Sequence, residues 1–123
     1  MFFEGKIFWS TISIFKLLFF FKTKILFLGS CFATNIKQKM TLANMDAHDI
    51  QHGVLFNPHS INQALCDLIG EVKYTESDLQ SWDGKYYSMN HSGSYSDSNV
   101  IRLLDKINDG IEKDAVQLQN TEV

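Results

Sequence analysis

The sequence has no excess of positive charge: 11 Lys and Arg stand against 14 Asp and Glu among 123 residues, a net charge of −3. That excludes the basic footprint by which nucleic-acid binders hold phosphates. Only two cysteines are present, Cys31 and Cys66, and they form neither a disulfide framework nor a spaced zinc set. No metal or other cofactor is implied, and a reduced, cytoplasmic compartment is the simpler expectation. The glycine spacing and lysine of a phosphate loop are also missing, which leaves nucleotide binding a weak rival reading. There is no internal repeat and no low-complexity domain. The length allows at most one small domain, and the 45% apolar content suffices for a core, which argues against wholesale disorder.

The apolar residues are concentrated at the start. Residues 1–23 form a segment very rich in Phe and Ile, and Lys16 interrupts the run from Ile7 to Phe21. This run is shorter than the ~20 residues of a membrane-spanning helix. A secretory signal would need a basic start and a small-residue cleavage site, whereas Glu4 accompanies Lys6 and no such site follows. Three readings remain: an amphipathic or core segment, a helix making membrane contact through residues 7–21, and a signal or anchor. Residues 24–123 read as the globular part.

That part is organised around Ile25-Leu26-Phe27-Leu28-Gly29-Ser30-Cys31-Phe32-Ala33. The continuous apolar run predicts a strand buried on both faces, as parallel strands are. Gly29 permits a tight turn, after which Phe32 to about Leu42 takes helical spacing with Phe32, Ile36 and Met40 on one face. Ser30 and Cys31 would then lie at the strand's C-terminal end and a helix N-terminus, where open α/β sheets bind ligands. Ala43 to His52 reads as a polar connection with a short possible strand. Asn57-Pro58 starts a second helix by capping and a pre-set φ, with Ile61, Leu65 and Leu68 as its stripe and Gly70 as its end. Cys66 within it reads as a small buried hydrophobe. Asp83-Gly84 among Trp82, Tyr86 and Tyr87 predicts a hairpin, whose rings suit core or edge packing better than substrate stacking. A Ser- and Gly-rich loop, His91 to Ser98, precedes a last helix bearing Val100, Leu103, Leu104, Ile107 and Ile111, with Ser96 or Asp97 as cap.

The literal Gly29-Ser30-Cys31-Phe32-Ala33 after an apolar strand resembles the signature of the GSCFA family, a bacterial group related by similarity to the SGNH (GDSL-like) hydrolases. Gly53-Val54-Leu55-Phe56-Asn57-Pro58 and His91-Ser92-Gly93-Ser94-Tyr95-Ser96 extend the resemblance. Before Gly53, however, members often carry Asn-Pro-Phe, where this chain has Ile50-Gln51-His52. The resemblance implies an α/β fold, here a partial three-layer, flavodoxin-like (SGNH hydrolase-type) domain with parallel strands. The late Asp-x-x-His block of such folds has no match in Gly110 to Val123, so the sequence reads as the N-terminal part of a GSCFA domain.

The implied chemistry is that of an acyl-ester hydrolase or acyltransferase acting on a small-molecule, carbohydrate or lipid ester. Acyl transfer needs a nucleophile, a base and oxyanion donors. Laid on the Gly-Asp-Ser block of SGNH hydrolases, Cys31 takes the place of the catalytic serine, while Ser30 remains the second candidate. A thiol at a helix N-terminus is favoured as thiolate by the free amides there. Of His48, His52, His59 and His91, His91 lies in the family-like loop and is the candidate base; the other source would be a histidine outside this sequence. Gly53 and Asn57 are the candidate oxyanion and substrate-binding residues, though Asn57 is better explained as a helix cap. The rival from another class is a catalytically inactive fragment, or a membrane-associated structural or interaction protein.

Overall fold

In a computed structural model, residues 23–121 are described. The expectation for the apolar N-terminal segment therefore falls, apart from Thr23, outside the described residues. The chain runs β1 (Ile25–Phe27), α1 (Cys31–Leu42), β2 (Ala47–Asp49), α2 (Pro58–Ile69), a 3₁₀ turn at Glu76–Asp78, β3 (Gln80–Trp82), β4 (Lys85–Tyr87), β5 (Ser96–Asp97) and α3 (Val100–Gln119).

β1 and β2 pair in parallel, with Ile25 opposite Ala47 and Phe27 opposite Asp49. Parallel neighbours need a crossover, and α1 supplies it, making a βαβ unit of mixed α/β character. All three β1 residues are half-buried, which corrects the expectation of a strand enclosed on both faces. One partner strand and a helix without buried residues give it incomplete cover. Phe32 accordingly stands 70% exposed instead of packing.

α2 forms where Asn57 and Pro58 place its start: Asn57 accepts a hydrogen bond from the Ser60 amide at 2.8 Å. It ends at Gly70, the C-cap. Its buried residues are Ala64, Asp67 and Leu68. Cys66 lies two positions past Ala64, about 200° round the helix, and is exposed. That overturns its reading as a buried hydrophobe.

The Asp83-Gly84 hairpin is present, with both residues at positive φ, 49° and 74°, the pair a type I′ turn requires. β5 adds a third antiparallel strand to β3 and β4. Tyr86 and Tyr87 are half-buried, but Trp82 is 77% exposed on the outer strand, a correction to its expected packing role. α3 is capped by Asn99, which accepts from the Arg102 amide at 3.1 Å, and not by Ser96 or Asp97. Asp97 instead receives the Asn99 amide and the Arg102 guanidinium.

The core joins α2 and α3 through Ala64, Leu68, Leu103, Ile107 and Ile111, closed by Ile50, Leu55, Tyr74, Leu79 and Tyr95. Each Å² of apolar surface buried there contributes ~25 cal/mol. Among the described residues no helix is long and apolar enough to cross a membrane.

Candidate functional site

The turn after β1 is built from three side-chain choices. Gly29 has φ +143°, a conformation L side chains rarely adopt. Ser30 has extended backbone and caps α1, its Oγ accepting from the Phe32 amide at 3.3 Å. Cys31 is then the first residue of α1, free and exposed. The amides of Ala33 and Thr34 turn back to the Ser30 carbonyl. Those of Ser30 and Cys31 bond no other described residue, so two donors lie beside the thiol. Sequence reasoning gave the free amides of this helix start a role toward the thiol but did not name them as oxyanion donors; the cap at Ser30 is the signal from which they follow.

A second turn meets the first. The Leu55 amide donates to the Gly29 carbonyl at 2.8 Å, and Gly53 donates to the Ile50 carbonyl at 3.3 Å. Gly53 therefore faces its own turn with its amide engaged, and its φ is +84°. A Cβ there would lie 2.3 Å from Ser92 Oγ. Between the two turns is a cleft of about 170 Å³, with Gly29 and Gly53 on its walls. Asn57 lies beyond, exposed, its Oδ1 occupied by the α2 cap; its Nδ2 hydrogens are what it can offer an oxyanion.

His91 is placed elsewhere. It is 8% exposed, with Nδ1 2.7 Å from Ser88 Oγ. Its ring stacks on His52 at 4.3 Å between centroids and 3° between planes. Tyr74 meets it edge-on and Tyr95 at a tilt. No hydrogen bond among the described residues joins His91 to Ser30 or Cys31. The link between them is indirect: the Ser92 amide donates to the His52 carbonyl at 2.8 Å, and His52 precedes Gly53.

The buried polar network around this histidine pair was not foreseen. Asp67, 1% exposed, receives the Tyr74 hydroxyl at 2.7 Å, Gln63 Nε2 at 2.9 Å and His52 Nε2 at 3.2 Å. Asn90 Nδ2 in turn donates to the Tyr74 hydroxyl at 2.9 Å. Burial holds His52 below its usual pKa, against the pull of Asp67. Burial, and next the proximity of His52, lower His91 to about 3. Burial also raises the Tyr74 hydroxyl, assisted by its bond to Asp67. Both imidazoles are thus neutral near pH 7. The sequence held one signal for this: Asp67 adjoins Leu68 on the apolar side of α2, and a buried carboxyl group requires partners.

The departure at Ile50-Gln51-His52 is held from several sides. The Gln51 amide donates to Asp114 of α3, and the Tyr95 hydroxyl donates to the Gln51 carbonyl. Burial raises the Asp114 carboxyl to about 6, even though its bond to the Gln51 amide opposes this. Among the described residues no group of three or more His, Cys, Asp or Glu side chains is placed to hold a metal.

Comparison with known proteins agrees with the sequence signature. A family model described as the GSCFA family matches residues 24–123. No curated protein and no solved structure matches the chain.

Proposed function

The chain belongs to the GSCFA family, and from that premise we propose that the Gly29-Ser30-Cys31 turn performs acyl transfer from esters, with Cys31 as nucleophile. One observation carries the choice between the two candidates. Ser30 Oγ is engaged as the α1 cap, whereas Cys31 stands exposed at the helix N-terminus. The βαβ unit is read with it as the start of an SGNH-type, flavodoxin-like three-layer sheet.

In this reading Sγ attacks the ester carbonyl carbon. The C–S bond forms as the C=O π pair moves onto oxygen; the tetrahedral adduct then collapses, the C–O bond breaks, and the alcohol oxygen leaves with that electron pair and takes up the proton the thiol gave up. Negative charge on the carbonyl oxygen is met by the Ser30 and Cys31 amides, with Asn57 Nδ2 as a further donor. Attack of water on the thioester gives a hydrolase; attack of a second alcohol gives a transferase. His91 is neutral, but lowered to about 3 by its burial it is a weak base where it stands. Serving Cys31 requires its loop to turn outward from Ser88 and His52.

A second reading draws on that same burial: with His91 held inside, the chain is a non-catalytic binding or structural protein. Intact-mass analysis of the full chain after exposure to p-nitrophenyl acetate separates the two. The first expects one acetyl group, mapped to Cys31, lost in Cys31→Ala and kept in Ser30→Ala. Acetylation of Ser30, or of no residue in the turn, would overturn it.

A further inference from the structure

Trp82 closes β3, the outer strand of its sheet, and stands 77% exposed. Packing does not account for it, since β3 has no buried residue. The indole instead borders an open cavity of about 380 Å³ at the tip of the hairpin, lined also by Ser81, Asp83, Gly84, Tyr86 and Ser98. A Cβ on Gly84 would meet nothing within 4 Å, so the turn is clear of other elements on that side. The polar groups around the cavity have no partner in the chain. Among the described residues neither the Asp83 carboxylate, nor the hydroxyls of Ser81, Tyr86 and Ser98, nor the Trp82 Nε1–H makes a hydrogen bond or an ion pair. An exposed ring is thus set among four free donors and one free carboxylate.

We infer that the hairpin tip binds one pyranose ring of a neutral carbohydrate. The sugar's C–H face lies on the indole, whose negative π face attracts the weakly positive C–H hydrogens. Its hydroxyls, each a donor and an acceptor, meet Asp83 and the three protein hydroxyls. The cavity volume lies within the ~300–1,000 Å³ range of small-ligand sites. Two other occupants of an exposed Trp fit less well. A nucleotide brings phosphate toward Asp83, and no Lys or Arg is among the described lining residues to receive it. A quaternary ammonium is held best by several ring faces, and it offers the hydroxyls no hydrogen bond. The cavity shares no lining residue with the Gly29-Ser30-Cys31 turn, so the inference stands whether or not Cys31 transfers acyl groups.

The test is proton–nitrogen correlation NMR of the full chain, titrated with cellohexaose, with maltohexaose and, as the cationic rival, with choline. At least one glycan is expected to shift the Trp82 indole resonance saturably, together with the amides of Ser81, Gly84 and Ser98. Covering one indole face, about a quarter of the ~200 Å² a Trp can bury, is worth about tenfold in affinity. Trp82→Ala should therefore weaken that glycan by about tenfold or more, with resonances outside the hairpin unchanged. Asp83→Asn keeps an acceptor oxygen and a residue tolerant of positive φ; it should weaken binding about threefold to fivefold. No saturable shift of these resonances with either glycan would overturn the inference. So would glycan binding that Trp82→Ala leaves unaltered, and shifts produced by choline alone would overturn it in favour of a cation.

Discussion

Acidification from about pH 7.5 to about pH 5 is expected to destabilise the fold through the His52/His91 stack. His91 is lowered by burial to about 3, against an ordinary value of 6.5. A base whose folded pKa is depressed binds protons more readily when unfolded. Its contribution is therefore complete above pH ~6.5 and is lost as pH falls toward ~3. At pH ~5 the loss from His91 is about 2 kcal/mol, and His52, lowered in the same direction, adds to it. Asp114 works oppositely. Its carboxyl is raised to about 6 from 3.8, so the folded state takes up this proton first and gains about 1 kcal/mol by pH ~5. The unaltered protein should lose at least about 1 kcal/mol over this interval.

Urea unfolding followed by far-UV circular dichroism reads these quantities; fluorescence is less suitable because Trp82 is exposed. Asp114→Asn removes the compensating gain and should enlarge the acid loss by about 1 kcal/mol. His91→Phe keeps a ring on His52 and removes the titration, so its acid loss should shrink by about 2 kcal/mol. The same acid loss in His91→Phe as in the unaltered protein would refute the argument. So would an Asp114→Asn variant less sensitive to acid than its parent.

Two further substitutions probe the turns themselves. Ser30→Ala removes the α1 cap and should lower unfolding free energy by about 1 kcal/mol in the same urea assay. Gly53→Ala meets both a positive φ and Ser92 Oγ; a loss of about 2 kcal/mol or more is expected. Adding Ser92→Gly should recover part of that loss and leave the φ penalty, a split that double-mutant analysis of the unfolding curves resolves.

Much of the local structure was legible because it is written in short-range chemistry. Asn57-Pro58 and Asp83-Gly84 place α2 and the hairpin since each dipeptide satisfies a specific backbone need. The spacing of Leu103, Ile107 and Ile111 likewise gives the buried face of α3. What escaped depends on orientation around an element or on distant partners. Cys66 is inside or outside according to which side of α2 meets α3, and Ala64, Asp67 and Leu68 set that side. Phe32 fits a helical stripe, yet no described element covers it. The His91 loop was identified by its resemblance, while its stacking on His52 arises from contacts between residues 39 positions apart. Nothing in local spacing encodes that distance. Asp67 was the readable exception, a carboxyl group set among buried apolar positions.

The central claim is that Cys31 is the nucleophile, and the two cysteines provide an internal comparison. Both are exposed, so access does not separate them. Cys31 opens α1, whereas Cys66 lies in the last turn of α2, its carbonyl accepting from the Gly70 amide at 2.9 Å. Helix dipoles favour negative charge at the first position and oppose it at the second. The most direct measurement is the rate of iodoacetamide alkylation at each cysteine across pH, read by peptide mass spectrometry, with urea-unfolded protein as the reference. The account predicts that Cys31 reacts about threefold to tenfold faster than Cys66 near pH 7, with the difference vanishing on unfolding. Equal rates in the folded chain, or a faster Cys66, would contradict it.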